Sequence, residues 1–97
     1  IMLIGKITGT AVSTVKQDTL SSYRLLLVTP CDPSGNTLEN PLLAVDLVGA
    51  GEGELVFISR GSSARAAAGN DGSAADAAVV GILDSLYFEG NQTYTKK

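Results

Sequence analysis

The chain has 97 residues, 44% of them hydrophobic but only 5% aromatic, with no Trp, no His and a formal net charge of −3. That length and apolar share fit one small folded domain with an aliphatic core, and the acidic balance argues against a nucleic-acid groove, which needs a basic footprint. A domain of this size buries only about 60–65% of its extended surface, so further burial against partner subunits is expected.

Residues 1–97 are read as a single domain, with Ile1 before Met2 set aside. No apolar run approaches the ~20 residues of a membrane span, and the start lacks the charged region of a secretion signal. Met2 to Val15 is rich in β-branched residues interrupted by Gly5 and Gly9. This predicts one long strand, bent where glycine permits a bulge. A polar loop follows over Gln17–Ser22, then a strand over Tyr23–Thr29. The almost continuous apolar character of that strand implies burial on both faces or at an interface. All three prolines fall in Pro30–Pro41, where Asp32-Pro33-Ser34-Gly35 fits a type I turn. Leu42–Asp46 is the third strand and Glu54–Ser59 the fourth. Ser62 or Ser63 can cap a short helix over Ala64–Ala68, stopped by Gly69-Asn70-Asp71-Gly72. Ser73–Ala78 fits one more helical turn or a loop. Val79–Phe88 is read as a single fifth strand. The tail over 88–97 is polar, has β propensity, and is expected to pack on a neighbouring subunit. The fold expected is therefore mainly β: a small OB-like five-stranded barrel with one short helix and a strand-like C-terminal tail.

The stretch Asp46–Arg65 stands out. Gly49, Gly51, Gly53 and Gly61 bracket the apolar run Leu55–Ile58, which suggests tightly shaped corners rather than a linker. Asp46-Leu47-Val48-Gly49-Ala50-Gly51 begins like a dinucleotide fingerprint. Its third glycine is replaced by Glu54, however, and a strand rather than a helix follows. Arg60-Gly61-Ser62-Ser63-Ala64-Arg65 can be read as an anion site at a helix start, or more simply as a cap with arginines paired to neighbours.

Catalytic chemistry finds little support. Cys31, the only cysteine, has no His partner and reads as a turn-packing thiol in a reducing compartment. Glu52 and Glu54 beside the glycine turn are expected to be ordinary solvated carboxylates. Asp46, Asp76 and Asp84 adjoin apolar runs, and a partly buried Asp bonded to turn amides or an Arg is the commoner case. No metal-ligand spacing is present, and neither enzyme activity nor a cofactor is expected. The aromatics Tyr23, Phe57, Tyr87, Phe88 and Tyr94 are too few and too embedded in strands for a single-strand nucleic-acid platform. An OB-like binding module for single-stranded nucleic acid or a small anion is the alternative to a structural role.

Several segments together resemble the EutN/CcmL family of bacterial microcompartment shell proteins. They are Gly5-Lys6-Ile7-Thr8-Gly9 through Val12-Ser13-Thr14, Ala44-Val45-Asp46, Val48-Gly49-Ala50-Gly51, Gly53-Glu54, Gly61-Ser62-Ser63-Ala64-Arg65, Asp76-Ala77-Ala78 and Val80-Gly81-Ile82-Leu83-Asp84. One departure is Ser73-Ala74-Ala75 ahead of Asp76, where that family usually carries a proline. The resemblance implies a β-barrel that assembles into a homopentamer in the bacterial cytoplasm. It would cap the five-fold vertices of a shell of hexameric proteins around encapsulated enzymes, with no nucleic-acid or membrane partner. On this basis Gly61, Ser62 and Ser63 are expected near the five-fold axis, lining a narrow opening. Gly49, Gly51 and Gly53 are expected to shape a subunit contact, with Asp46 and Arg65 as polar ties across it. Such a ring needs two different, rigid patches that meet head to tail, and Arg65 has the reach for a bidentate tie to a neighbour's carboxylate.

Overall fold

The computed structural model describes residues 2–11, 24–61 and 77–96. Five strands close into a barrel: β1 (Met2–Ala11), β2 (Arg24–Pro30), β3 (Leu42–Asp46), β4 (Leu55–Arg60) and β5 (Ala77–Ile82). Their order around the barrel is β1-β2-β3-β5-β4, and a separate two-stranded sheet is formed by β6 (Ser85–Phe88) and β7 (Asn91–Thr95). All barrel pairings are antiparallel except β3 with β5.

The bent first strand is what closes the barrel. Its first half pairs with β4 (Met2 opposite Ser59, Lys6 opposite Leu55), and Gly5 onward pairs with β2. The register against β2 shifts between Ile7 and Gly9, at the bend predicted from the glycines. A second shift on β5 falls opposite Phe57/Ile58, and Gly81 there leaves room for the Phe57 ring, whose Cδ2 would lie 3.1 Å from an added Cβ.

Alternation along each strand fills a narrow interior with aliphatics. Ile7, Leu26, Val28, Ala44, Val56, Ile58, Ala77 and Val79 form the core, joined by Ala50 from the loop after β3. Small residues suffice because a five-stranded barrel has little space inside. Outside the barrel, Cys31, Leu55 and Leu83 are buried together with Ile4, Phe57, Leu86 and Tyr94 packed against them. This cluster glues the β6–β7 hairpin to the β1–β4 side. Tyr94 Oη also accepts from the Leu55 amide at 3.3 Å, and Thr93 Oγ1 donates to the Pro33 carbonyl at 2.7 Å.

The turn after β2 forms over the residues expected. The Gly35 amide donates to the Asp32 carbonyl at 2.9 Å, with Pro33 in the second position and Gly35 at φ 92°. The Asp32 carboxylate accepts from the amides of Ser34 and Asn36, both at 2.9 Å. The Asn36 amide is the main reason its carboxyl is held below the usual range.

Two expectations need correction. Val79–Phe88 is not one strand: it breaks at Leu83–Asp84 into β5 and β6. The barrel wall ends where Ile82 pairs with Val56, and beyond that point the chain has no barrel partner. Leu83 still donates its amide to the Leu55 carbonyl, and Asp84 then accepts from the Lys96 amide, which closes the hairpin. Asp84 is exposed rather than partly buried. Within its own chain the tail pairs with β6, Leu86 facing Tyr94 and Phe88 facing Asn91, a pairing that is separate from its expected packing on a neighbouring subunit. The short helix expected over Ala64–Ala68 lies outside the described residues, as does the loop or helical turn ahead of Ala77.

Candidate functional site: a glycine-shaped corner on a closed barrel

The loop from Asp46 to Glu54 crosses one end of the barrel as a stitched corner. Asp46 ends β3 with a side chain only 2% exposed. Its Oδ1 accepts from the amides of Val48 (3.1 Å), Gly49 (2.9 Å) and Ala50 (3.3 Å). Arg24, opposite it on β2, lies 3.7 Å from Oδ2 and donates to the Ala50 carbonyl at 2.9 Å. These contacts drive Ala50 into the end of the core, where it is 1% exposed. Asp46 thus behaves as a partly buried aspartate bonded to turn amides and an arginine. Its carboxylate is engaged within its own chain.

The second half of the corner is a turn over Gly51–Glu54. The Glu54 amide donates to the Gly51 carbonyl at 3.2 Å, and Glu54 Oε1 accepts the Gly51 amide at 2.6 Å. Glu54 Oε2 lies 3.5 Å from Lys96 Nζ. The turn is fixed to β1 by Gly53 N–H to the Ile7 carbonyl (2.9 Å) and Ile7 N–H to the Glu54 carbonyl (3.0 Å). Glu54 is therefore a structural carboxylate and not the ordinary solvated group expected. The signal available was its spacing, three residues after a glycine whose amide needs an acceptor.

The glycines do different jobs. Gly49 (φ 79°), Gly53 (φ 88°) and Gly61 (φ 73°) hold left-handed backbone with open space where a Cβ would stand. Gly51 has an ordinary φ, and an added Cβ would lie 3.6 Å from Glu54 Oε1. Gly53→Ala is expected to lose about 1–2 kcal/mol from strain alone, and Gly51→Ala to stay within about 0.5 kcal/mol of the parent. Thermal melts at one fixed chain concentration check this: a fall of roughly 4–16 °C for the first and a small change for the second. Equal melts for the two variants would contradict the division.

Gly61 is exposed at the far end of β4 from Gly53, followed by Ser62, Ser63 and Arg65, which lie outside the described residues. The structure thus places the two glycine groups at opposite ends of one strand. At the Gly61 end, Arg60 Nη1 lies 3.2 Å from Glu39 Oε1. Cys31 is buried, and that burial, then the nearby Asp32, raises its thiol pKa, which makes it a packing group rather than a nucleophile. Among the described residues, no group of three or more His, Cys, Asp or Glu side chains is placed to hold a metal.

A closed barrel, a corner whose Asp46 and Glu54 carboxylates are bonded to its own amides, and exposed Leu43, Val48, Tyr87 and Phe88 define a building block for assembly. The family described as "Ethanolamine utilisation protein EutN/carboxysome" matches residues 2–84, and the chain belongs to this EutN/CcmL family. It is similar to the carboxysome shell vertex protein CcmL of Nostoc sp., with 46% identity over 97 residues covering 99% of this chain and 96% of that one. Among solved structures it resembles an ethanolamine utilization protein EutN (TM-score 0.91, 37% identity, 98% of this chain and 99% of that one). It also resembles the GrpN pentameric microcompartment shell protein of Rhodospirillum rubrum (TM-score 0.78, 43% identity, 89% of this chain and 98% of that one).

Proposed function

We propose that this chain is a structural protein that forms homopentamers and caps the five-fold vertices of a bacterial microcompartment shell in the cytoplasm. The observation that carries this is the likeness, across nearly the whole barrel, to a shell protein solved as a pentamer. Six-fold tiles alone make flat sheets, and closure needs five-fold points, so the partners of the ring are hexameric shell proteins, with enclosed enzymes met only indirectly. Gly61, Ser62 and Ser63 stand near the five-fold axis. Exposure and left-handed backbone at Gly61 suit a tight turn at a crowded axis. Gly49, Gly51 and Gly53 shape the subunit contact, which Asp46 supports from within its own corner, and Arg65 reaches the adjacent chain.

The rival reading, an OB-like binding module, is not favoured. The strands of the usual OB binding face here carry Leu25, Leu27 and Leu43 outward and no aromatic to stack a base. Co-expression with a hexameric shell protein tests the proposal. Closed polyhedra are expected with this chain present, and open sheets or tubes without it. Equal closure in both cases, or labelled chain spread over the facets, would contradict it.

A further inference from the structure

We infer that the β6–β7 hairpin is a hinged strap: it lifts as one unit about Leu83–Asp84 while the barrel stays closed, and when shut it holds Glu54 and Leu55 at the start of β4. The inference concerns a single chain and goes beyond the ring-forming reading above.

The hairpin is built to move as a body. Its two-residue turn, Glu89 at φ 53° and Gly90 at φ 81°, has the positive φ at both positions that a type I′ hairpin requires. Its strands pair from Ser85 with Thr95 to Phe88 with Asn91, and the Lys96 amide closes the base by donating to the Asp84 carbonyl at 2.8 Å. Among the described residues it pairs with no barrel strand, and the five barrel strands close without it. The joint at Leu83–Asp84 lies between β5 and β6. Leu83 stays with the barrel, buried and bonded through its amide to the Leu55 carbonyl, whereas Asp84 is exposed. A short connection between two separately paired elements is where a hinge absorbs its rotation.

Few contacts hold the strap shut. Leu86 and Tyr94 pack on the cluster of Cys31, Leu55 and Leu83, but Tyr87 and Phe88 are exposed. The polar ties are the Leu55 amide to Tyr94 Oη (3.3 Å), Thr93 Oγ1 to the Pro33 carbonyl (2.7 Å) and Lys96 Nζ beside Glu54 Oε2 (3.5 Å). The ion pair is partly exposed, and such pairs contribute little. Beneath the strap a cavity of about 200 Å³ remains, lined by Lys6, Cys31, Gly53 and Leu55 on the barrel side and by Thr93 and Tyr94 on the strap. Sparse burial over an unfilled space marks a unit of low local stability. Two of the ties fall on neighbouring residues, Glu54 and Leu55. Glu54 Oε1 also accepts the Gly51 amide at 2.6 Å, so the strap and the Gly51–Glu54 turn share one carboxylate. Lifting the strap therefore loosens that turn and opens the cavity, with Cys31 in its wall, to solvent.

Native-state hydrogen exchange on the full chain as purified, at one fixed concentration, tests this with the double variant Thr93→Val, Lys96→Gln. These changes remove two ties and leave the acceptors of the Leu55 and Gly51 amides in place. The hairpin amides, Leu55 and Gly51 are expected to exchange at least about tenfold faster, together, with β2 amides within about twofold of the parent. Acceleration of β2 by the same factor would make strap and barrel one cooperative unit and overturn the inference. Faster hairpin amides with Leu55 or Gly51 unchanged would be fraying in place and overturn it too, as would no acceleration anywhere. In the parent alone, exchange of the hairpin and Leu55 amides is expected to depend less steeply on urea than exchange of β2, because a local opening exposes less surface. Equal slopes overturn the inference whatever the variant does.

Discussion

Asp46→Ala is expected to lower stability by about 2–3 kcal/mol, the largest single effect foreseen outside the assembly itself. The carboxylate accepts three amides and neighbours Arg24, and hydrogen bonds to a charged group contribute about 1.5–3 kcal/mol each. These bonds are not additive, because the Val48 and Gly49 amides are exposed enough to turn to water once released. The Ala50 amide belongs to a residue buried at the end of the core and has no such recourse. Asp46→Asn keeps a carbonyl oxygen for the turn and loses only the charge, so about half the loss or less is expected. Urea midpoints of the two variants against the parent measure this. An alanine variant within ~0.5 kcal/mol of the parent would mean that the corner holds its shape without the carboxylate. Such a corner would be a poor candidate for a rigid contact surface.

Gly5→Ala is the second. Gly5 is buried at the point where β1 bonds to Pro30 on one side and Val56 on the other. Its φ is not in the left-handed region, so the requirement there is space and not backbone freedom. An added Cβ would collide with Ile58 Cδ1 and lie 2.6 Å from Val28 Cγ1. The isoleucine end can swing, but Val28 is stiff about χ1 and fully buried. Overpacking a filled core costs about 1–3 kcal/mol, a large fraction of the ~5–15 kcal/mol that holds a small domain. The sharper check is a cycle with Ile58→Val, which removes the offending methyl. The double variant should be more stable than the sum of the two losses predicts, by ~0.5 kcal/mol or more. Additive losses would place the strain elsewhere.

What the sequence shows and hides follows from where each signal comes from. The β-branched run with Gly5 and Gly9 names a bent strand because local sterics alone require it, and Leu42–Asp46 is bounded as expected because Pro41 and the Asp46 turn both act locally. The Asp32–Gly35 turn is legible for the same reason. The break at Leu83–Asp84 is not legible, since apolar alternation through Val79–Phe88 carries no information about where the partner strand stops. The pairing of Asn91–Thr95 with β6 is hidden too, because a polar strand shows its partner only in three dimensions. The positive φ of Gly49 and Gly53 at the corner, and of Gly61 beyond β4, is what glycine in a turn suggests, whereas the dihedral of Gly51 does not call for glycine. Asp46 fits the buried, amide-bound aspartate anticipated from its neighbours. Glu54 escaped notice because its bond to the Gly51 amide depends on a side-chain path that a spacing of three only permits. Ring geometry is the least legible of all, since half of every contact belongs to another copy of the chain.

The most direct measurement is the native mass of the purified chain at low micromolar concentration. The account predicts one dominant species close to five times the 9.9 kDa of the chain, with five-fold symmetry in averaged images. A single-chain mass, or a ring of another size that persists across salt and concentration, would contradict it.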